Sequence, residues 1–547
     1  MHRCLRISEI LLIIFSSCDA NSCNDNEGQT LQLNRVALVC KVFSQPALEV
    51  LWGDQTIDLR ALFCCFPSDV VTTGKPPKTL SIPPGRSLSS QEWERLQFYA
   101  RCITSLTVPH SDVINVGCEF MAAALSPKSI PGANSLPGAN SIPDANSDPN
   151  AKTIFARLRR LKWNDANRST SPWLIHFLNA GITDLEVKFS DHLLMDVFGG
   201  HSANQPDVDK IPRYTNLRSL KIWGSSGREV ILPSTFHNSF PKLQSFTCWS
   251  EHNMQGFAEL SHLPTLQSID IELNSTNFPS TQRDSLPKIH NLRQASVSVD
   301  SLVTARNFLK VIHSSPLNHL SIEFDEYDPK SSISRKLFAG LHIRTQGLLT
   351  FLQIGHIADD YIDNSDPALD PRMIEPLLDC GNLKTLKFNV HLSMDMVDDR
   401  LLLRMTTAWP NLEHLSLGLK GVSRSSHITV EGLWAFQNCP SLEVAELPFN
   451  TASNMSYDTL PPQRAACSLK LKKLYAFQST IPNPRSLAAA LLDMFPNLEE
   501  IEGSEPEDPD MEYDDDDSIE LHESWAECQE TYKWFKAYQN RGRGIHI

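Results

Sequence analysis

One apolar phrase recurs along most of this chain: a Leu or Ile, two variable residues, a second apolar residue, one variable residue, and a third apolar residue. It reads Leu217-Arg-Ser-Leu220-Lys-Ile222, Leu243-Gln-Ser-Phe246-Thr-Cys248, Leu266-Gln-Ser-Ile269-Asp-Ile271, Leu317-Asn-His-Leu320-Ser-Ile322, Leu383-Lys-Thr-Leu386-Lys-Phe388, Leu412-Glu-His-Leu415-Ser-Leu417 and, shortened, Leu498-Glu-Glu-Ile501. Looser copies begin at Ile103, Leu158, Ile182, Leu292, Leu349, Leu442 and Leu471. The last positions of each copy alternate, so one set of side chains points inward and the other outward, as a strand requires. A chain of 547 residues is too long for one compact core. A phrase returning every roughly 23 to 35 residues calls instead for stacked units, each burying a face against the next.

Several copies follow a helical pattern, as in Ala305 to Ile312, Leu433 to Phe436 and Leu487 to Phe495. Proline then ends the helix in Trp409-Pro-Asn-Leu412, Cys439-Pro-Ser-Leu442 and Phe495-Pro-Asn-Leu498. Helix, Pro-x-Leu turn and strand make one unit, and the spacing is that of leucine-rich repeats with irregular insertions. The expected fold class is α/β, a solenoid with short parallel strands on a concave face and helices on a convex one. Only Asn274 and Asn450 occupy the position where an asparagine often ties one turn to the next, which predicts an irregular horseshoe with long loops.

Outward strand positions, among them Ser219, Lys221, Trp223, Thr247, Trp249, Asp270, Glu272, His319, Ser321, Thr385, Lys387, His414 and Ser416, would line the concave face. Trp223, Trp249, Glu272, Lys387 and His414 are the candidates for binding a protein partner there. The two tryptophans lead because Trp offers a large contact area and is frequent at binding hot spots. The alternative for both indoles is packing against loop residues at the strand ends.

Hydrophobic residues make up 41% and charged residues 21%, so most of the chain should fold. The formal charge of -15 argues against a nucleic-acid binder, which needs a surplus of Lys and Arg somewhere on its surface. About ten of the acidic residues fall between Glu505 and Glu520, leaving the rest only mildly acidic. The 13 cysteines are odd in number and show neither CxxC nor a Cys/His group at zinc spacing. Cys18, Cys23 and the pair Cys64-Cys65 read as small buried or loop residues, and the set suits a reducing compartment, cytoplasm or nucleus.

Catalytic signatures are absent from the sequence. There is no GxGxxG, complete phosphate loop, GxSxG elbow or HExxH, and the 18 histidines are not grouped with Cys or carboxylates. Gly74-Lys75 lies in a Pro-rich loop, and Gly224-Ser-Ser-Gly227 is a turn after a strand. No catalytic residue, metal or cofactor is expected.

The first residues imitate a secretory leader, with basic Met1 to Arg6 followed by apolar Ile10 to Phe15. That run falls short of the roughly 7 to 15 residues of a leader's apolar core, follows Glu9 directly, and is far below the roughly 20 of a membrane span. Sequons at Asn167, Asn274 and Asn454 would suit secretion but arise often by chance. Apolar residues at 7, 10, 11, 14 and 15 instead describe one face of a helix, with Ser8 and Glu9 at its start. After the polar stretch from Cys18 to Thr30 comes a second helical pattern, Leu31 to Phe43, and Pro46 can open a third, Ala47 to Trp52. Three short helices this apolar cannot bury themselves alone and want a partner.

Ile7-Ser-Glu-Ile-Leu-Leu-Ile-Ile-Phe-Ser16, Ala37-Leu-Val-Cys-Lys-Val-Phe43 and Leu51-Trp52 resemble an F-box, the module that docks substrate receptors onto the Skp-type adaptor of SCF (cullin-RING) ubiquitin ligases. With Trp93-Glu-Arg-Leu-Gln-Phe-Tyr-Ala-Arg101, the segment is similar to the many F-box proteins of mushroom-forming fungi that carry divergent leucine-rich arrays. The resemblance implies a non-catalytic substrate receptor whose adaptor-binding residues are Ile7, Glu9, Ile10, Ile14, Phe15, Val39, Cys40, Phe43, Leu51 and Trp52. Its partners would be the adaptor, through it a cullin, and a protein substrate, with neither nucleic acid nor membrane involved. Two readings stay open beside it: a helical cover over the end of the array, and a repeat scaffold or secreted recognition protein without ligase linkage.

The implied layout is an F-box-like domain over 1–70, a connector over 71–101 and the solenoid over 102–503. The connector's helix reads as capped by Ser90. Within the solenoid, 127–151 carries a proline-bearing hexad, Ser-Ile-Pro-Gly-Ala-Asn and variants, expected as a disordered insertion because each proline removes a ladder donor. An acidic disordered segment is expected over 504–520. A C-terminal helix over 521–547 would place Trp525, Cys528, Tyr532 and Phe535 on one face and dock on the last repeat.

Overall fold

The structure is a computed structural model, and it describes residues 7–20, 33, 35–53, 57–58, 62, 66, 72–73, 80–81, 89–108, 155–164, 174–178, 181–189, 215–224, 229–232, 236–249, 252–255, 257–275, 288–312, 315–326, 336–356, 369–418, 426–451, 470–476, 479–503 and 516–543. The proline hexads, most of the acidic run, Gly74-Lys75, Cys64-Cys65, and the sequons at Asn167 and Asn454 lie outside the described residues. The chain divides into two compact units, Met1–Leu266 and Gln267–Ile547.

The first unit opens with helices α1 (Ser8–Ala20) and α2 (Lys41–Gly53) and a helical stretch over 33 and 35–39. They share a small core of Leu11, Phe15, Leu33, Ala47, Val50 and Leu51, with Phe15 and Phe43 edge to face at 5.8 Å. Proline does not open a helix here: the break falls at Cys40, and Pro46 lies inside α2. A proline in a helix interior forfeits one backbone bond. Burial of Pro46 with Ala47, Val50 and Leu51 offsets that loss. Helix α3 (Ser90–Cys102) is capped one residue earlier than expected, by Ser89. Ser89 N donates to Glu92 Oε2 at 2.7 Å while Glu92 N donates to Ser89 Oγ at 3.4 Å, a reciprocal capping box.

Among the described residues, the main sheet of this unit pairs six parallel strands in sequence order: β1 (Ile57–Asp58), β2 (Ser105–Val108), β3 (Arg160–Trp163), β4 (Asp184–Phe189), β5 (Ser219–Gly224) and β6 (Ser245–Trp249). The second apolar position of the phrase forms one column across them, Leu106, Leu161, Leu185, Leu220 and Phe246. The third forms another, Val108, Trp163, Val187, Ile222 and Cys248. Both columns are buried. The leading leucines, Leu217 and Leu243, are buried in the turn just before the strand. There the chain hooks onto its predecessor: Gln244 N and Ser245 N both donate to Arg218 O, at 2.8 and 2.9 Å.

Among its described residues the second unit repeats this plan in nine parallel strands: β7 (Ser268–Leu273), β8 (Gln294–Ser301), β9 (His319–Glu326), β10 (Phe351–His356), β11 (Thr385–Asn389), β12 (His414–Leu417), β13 (Val444–Glu446), β14 (Lys473–Tyr475) and β15 (Glu500–Glu502). Ile269, Ala295, Leu320, Leu352, Leu386, Leu415, Ala445, Leu474 and Ile501 make its central column. Each fully buried Leu or Ile contributes about 1.5–3 kcal/mol, so the repeated phrase is the main stabilising element. Between strands lie α4 (Leu302–Val311), α5 (Asp399–Ala408), α6 (Pro484–Met494) and the 3₁₀ helices Pro371–Asp379 and Glu431–Asn438. Asp398 caps α5 by accepting from Leu401 N at 2.8 Å, and Asn483 caps α6 through Ser486 N at 3.1 Å. The Pro-x-Leu turn closes identically in successive units, with Leu412 N on Trp409 O, Leu442 N on Cys439 O and Leu498 N on Phe495 O. At its first position Cys380 and Cys439 take the place of Trp409 or Phe495, and burial pushes both thiols up to about 12. They act as small core residues.

The last helix, α7 (Asp516–Arg543), begins inside the acidic run, where carboxylates favour the positive end of the helix dipole. It packs against the final repeat, burying Trp525, Cys528 and Tyr532. Trp525 Nε1 donates to Ser479 O at 2.8 Å, Tyr532 Oη to Phe495 O at 2.7 Å, and Lys536 Nζ to Leu498 O at 2.9 Å. The expected docking of this helix on the last repeat is thus present. Among the described residues, no helix is long and apolar enough to cross a membrane.

Candidate functional site

Two surfaces carry the residues singled out in the sequence. The first is the outer face of the N-terminal helices. A helix of α1's composition is apolar nearly all round, so once one side fills the small core the other side remains in water. Phe15 and Leu51 belong to that core, while Ile10, Cys40, Phe43 and Trp52 are half-buried around it. Ile7, Ile14 and Val39 stand out, 46%, 40% and 66% exposed, beside exposed Glu9. Three further apolar residues share this exposure and were not singled out: Ile13 at 67%, Leu38 at 85% and Val42 at 42%. The signal was available, because Ile10 to Phe15 and Val36 to Cys40 are unbroken apolar runs and an amphipathic helix can bury only one stripe. On its inner side the bundle is anchored by Trp52 against Tyr99, at 5.0 Å between rings, and by Arg157 on Glu49 at 2.9 Å. Burial opposes ionisation of Glu49, but the Arg157 and Gln45 hydrogen bonds prevail and hold its carboxyl below the ordinary value.

The second surface is the outward face of the strands, considered within each unit. In the first unit Lys188, Trp223 and Trp249 occupy one row, and the two indoles are near-parallel, 6.3 Å apart at 17°. Both are half-buried, with ring area spent on each other. Trp223 Nε1 is buried without a hydrogen-bond partner.

In the second unit the register places Lys387 between Gln353 and Ser416, and Ser416 beside Glu446. Lys387, His414 and Glu272 are half-buried. His414 Nε2 lies 3.6 Å from Glu446 Oε1. His319 stacks flat on Phe351 at 4.0 Å, and burial lowers its tendency to take a proton. Some outward positions prove less open than expected: Thr247, Ser321 and Ser416 are 7%, 8% and 1% exposed. Each is a short side chain, and Ser416 sits in register between the longer Lys387 and Glu446. The register brings no Ser, His and carboxylate into a hydrogen-bonded chain at Ser416, whose Oγ has no partner. Among the described residues no group of three or more His, Cys, Asp and Glu could hold a metal ion.

No family model matches this chain. No curated protein matches it either. Among solved structures, one that it is similar to is the "Crystal structure of PEPR1-AtPEP1", at 13% identity and a TM-score of 0.29 over 63% of this chain. The matched part spans 41% of that structure's chain, less than half its length.

Proposed function

We propose that this protein is a non-catalytic recognition subunit of an SCF-type ubiquitin ligase, with its N-terminal helices docking on a Skp-type adaptor and its strand face holding a protein substrate. The observation that carries the reading is the outer face of the first helices. Ile7, Ile13, Ile14, Leu38, Val39 and Val42 are left in water although the small core beneath is already filled. Exposed large apolar side chains gathered on two short segments suit a protein interface, and they coincide with the residues that resemble an F-box. The repeats supply long rows of mixed polar and aromatic side chains suited to a protein partner. Activity would come from proximity: holding an acceptor lysine near a charged conjugating enzyme raises its effective concentration without a catalytic side chain in this chain. Such a receptor would work in the cytoplasm or nucleus.

The test is association of the full chain with a purified Skp-type adaptor, in wild-type form and as Leu38→Glu and Val39→Glu. Both positions are largely exposed, so the variants should fold normally and lose the adaptor. Failure of the wild-type chain to bind at micromolar concentration rejects the reading. A second reading, a repeat scaffold with a helical end cover and no ligase linkage, is favoured by the inward anchoring of the same helices through Trp52–Tyr99 and Glu49–Arg157. It predicts no adaptor binding in any form and a destabilised array when the helices are removed.

A further inference from the structure

One outward cation of the second unit has nothing to balance it. Lys387 is half-buried at the middle of β11, between Thr385 and Asn389 on its own strand, with Gln353 beside it on β10 and Ser416 on β12. None of the outward positions of these three strands is a carboxylate. Among the described residues the Lys387 ammonium takes part in no ion pair and no hydrogen bond. Other lysines of the unit are paired: Lys384 with Glu413 at 2.7 Å, Lys472 with Glu443 at 3.4 Å, and Lys473 with Glu500.

Ser416 independently shows the want of a partner. It is 1% exposed, and its Oγ is buried with no hydrogen bond. A buried hydroxyl left unpaired is destabilising, so such a group calls for an explanation. The strands lie about 4.8 Å apart, so an anion seated between Lys387 and Ser416 can reach both once the flexible lysine stem turns aside. Glu446 stands one strand beyond Ser416, its Oε1 3.6 Å from His414 Nε2. Its charge bounds the site on that side and directs an anion toward Lys387.

We propose that Lys387 and Ser416 bind the carboxylate of an Asp or Glu carried by an extended protein segment that runs along the strands. The charge count selects this ligand. One ammonium balances one carboxylate, whereas a phosphorylated side chain carries about −1.5 to −2 and is held by clustered Arg, which the outward positions of these strands lack. Gln353, Thr385 and Asn389 around the lysine are amides and a hydroxyl, groups that both donate to and accept from a peptide backbone. Residues two apart on β11 are separated by about 6.6 Å, the step at which an extended segment repeats its same-side residues. Thr385 and Asn389 therefore meet the segment on either side of the bound carboxylate.

This inference names the substrate chemistry for the strand face and so rests on the reading of that face as a binding surface. The full chain is immobilised and offered peptide libraries of about eleven residues, randomised except for a central Asp, Asn, Lys or phosphoserine. Retention of the Asp library should exceed that of the Asn and Lys libraries by about tenfold or more, and should fall as salt is raised. Lys387→Met keeps the apolar stem and removes the charge, so it should abolish the Asp preference. Lys472→Met, at a lysine already paired with Glu443, should leave the preference intact. Ser416→Ala deletes a hydroxyl that has no partner in the fold, so the melting temperature should hold or rise while Asp retention falls by about tenfold. A purely structural serine would give the opposite pattern. Equal retention of the Asp and Asn libraries, an Asp preference that survives Lys387→Met, or stronger retention of phosphoserine overturns the proposal. Adaptor binding involves only N-terminal residues, so it can persist while this site fails, and the Asp preference can persist where the adaptor is not bound.

Discussion

Gly503 follows the last strand at a place where no side chain fits. Its φ is not positive, so the glycine is there for room rather than for backbone freedom. A Cβ built on it would overlap Cδ1 and Nε1 of Trp525. That indole is 2% exposed, donates to Ser479 O at 2.8 Å, and meets Phe449 edge to face at 6.1 Å. Gly503→Ala must therefore move either the ring or the strand. If the ring is expelled, the loss approaches that of Trp525→Ala, about 3–5 kcal/mol. If α7 slides to make room, overpacking costs about 1–3 kcal/mol. We expect a loss of about 3 kcal/mol, which for a unit of this size lowers the melting temperature by about 5 °C. Urea unfolding of the full chain, followed by tryptophan fluorescence, measures it. The decisive control is a double-mutant cycle: in a Trp525→Ala background, Gly503→Ala should cost almost nothing. A loss below about 0.5 kcal/mol in the wild-type background, or an undiminished loss in the Trp525→Ala background, refutes the argument.

Other expectations follow the same logic. An added Cβ at Gly432 would displace Asp399, whose carboxylate accepts Thr429 N at 2.7 Å and Thr429 Oγ1 at 2.8 Å, so Gly432→Ala should cost about 1–3 kcal/mol in the same unfolding assay. Tyr532→Phe removes one of two hydrogen bonds to the buried Phe495 carbonyl, which keeps Leu498 N, and should cost about 0.5–1.5 kcal/mol. Because Glu49 has a lowered pKa when folded, its contact with Arg157 should contribute at neutral pH and fade as pH falls below about 4.5. The stability gap between wild type and Glu49→Gln should therefore shrink toward acid, and a gap that widens there would contradict the assignment. With their thiols pushed up to about 12, Cys380, Cys439 and Cys528 should resist alkylation in the native chain at pH 8 and react on unfolding, as read by mass spectrometry.

The strands were legible because alternation and a fixed turn residue act together. Leu220 and Ile222 point inward for the same steric reason as Leu415 and Leu417, and the register follows once the leading leucine is placed. Helices with strong periodicity, such as 305–312, were found within a few residues; α4 starts at Leu302 because Ser301 supplies the cap. What escaped has physical causes. Pro46 was read as a boundary, yet local burial overrode its cost inside α2. The strand Ile57–Asp58 is too short to show a period and exists because it pairs with Leu106 and Thr107. The 3₁₀ helix Pro371–Asp379 holds two prolines, which argue against a long helix but not against this tighter one. At the candidate sites, composition identified the apolar N-terminal helices but could not choose between their faces, since buried Leu11 and exposed Ile13 differ only in where the core lies. The outward row was assigned by parity, and parity is blind to Trp223 and Trp249 pairing with each other.

The way α7 seals the final repeat bears on what its edge strand offers to another chain. Gln529 Oε1 accepts Ile501 N at 3.2 Å, and Lys536 takes the Leu498 carbonyl, so side chains occupy backbone groups that a neighbouring molecule's strand would otherwise satisfy. Proteolytic loss of the terminal helix would strip apolar cover from the last unit and, in the same event, expose a raw rung for strand addition. Clipped material should accumulate as growing oligomers rather than as a shorter soluble chain.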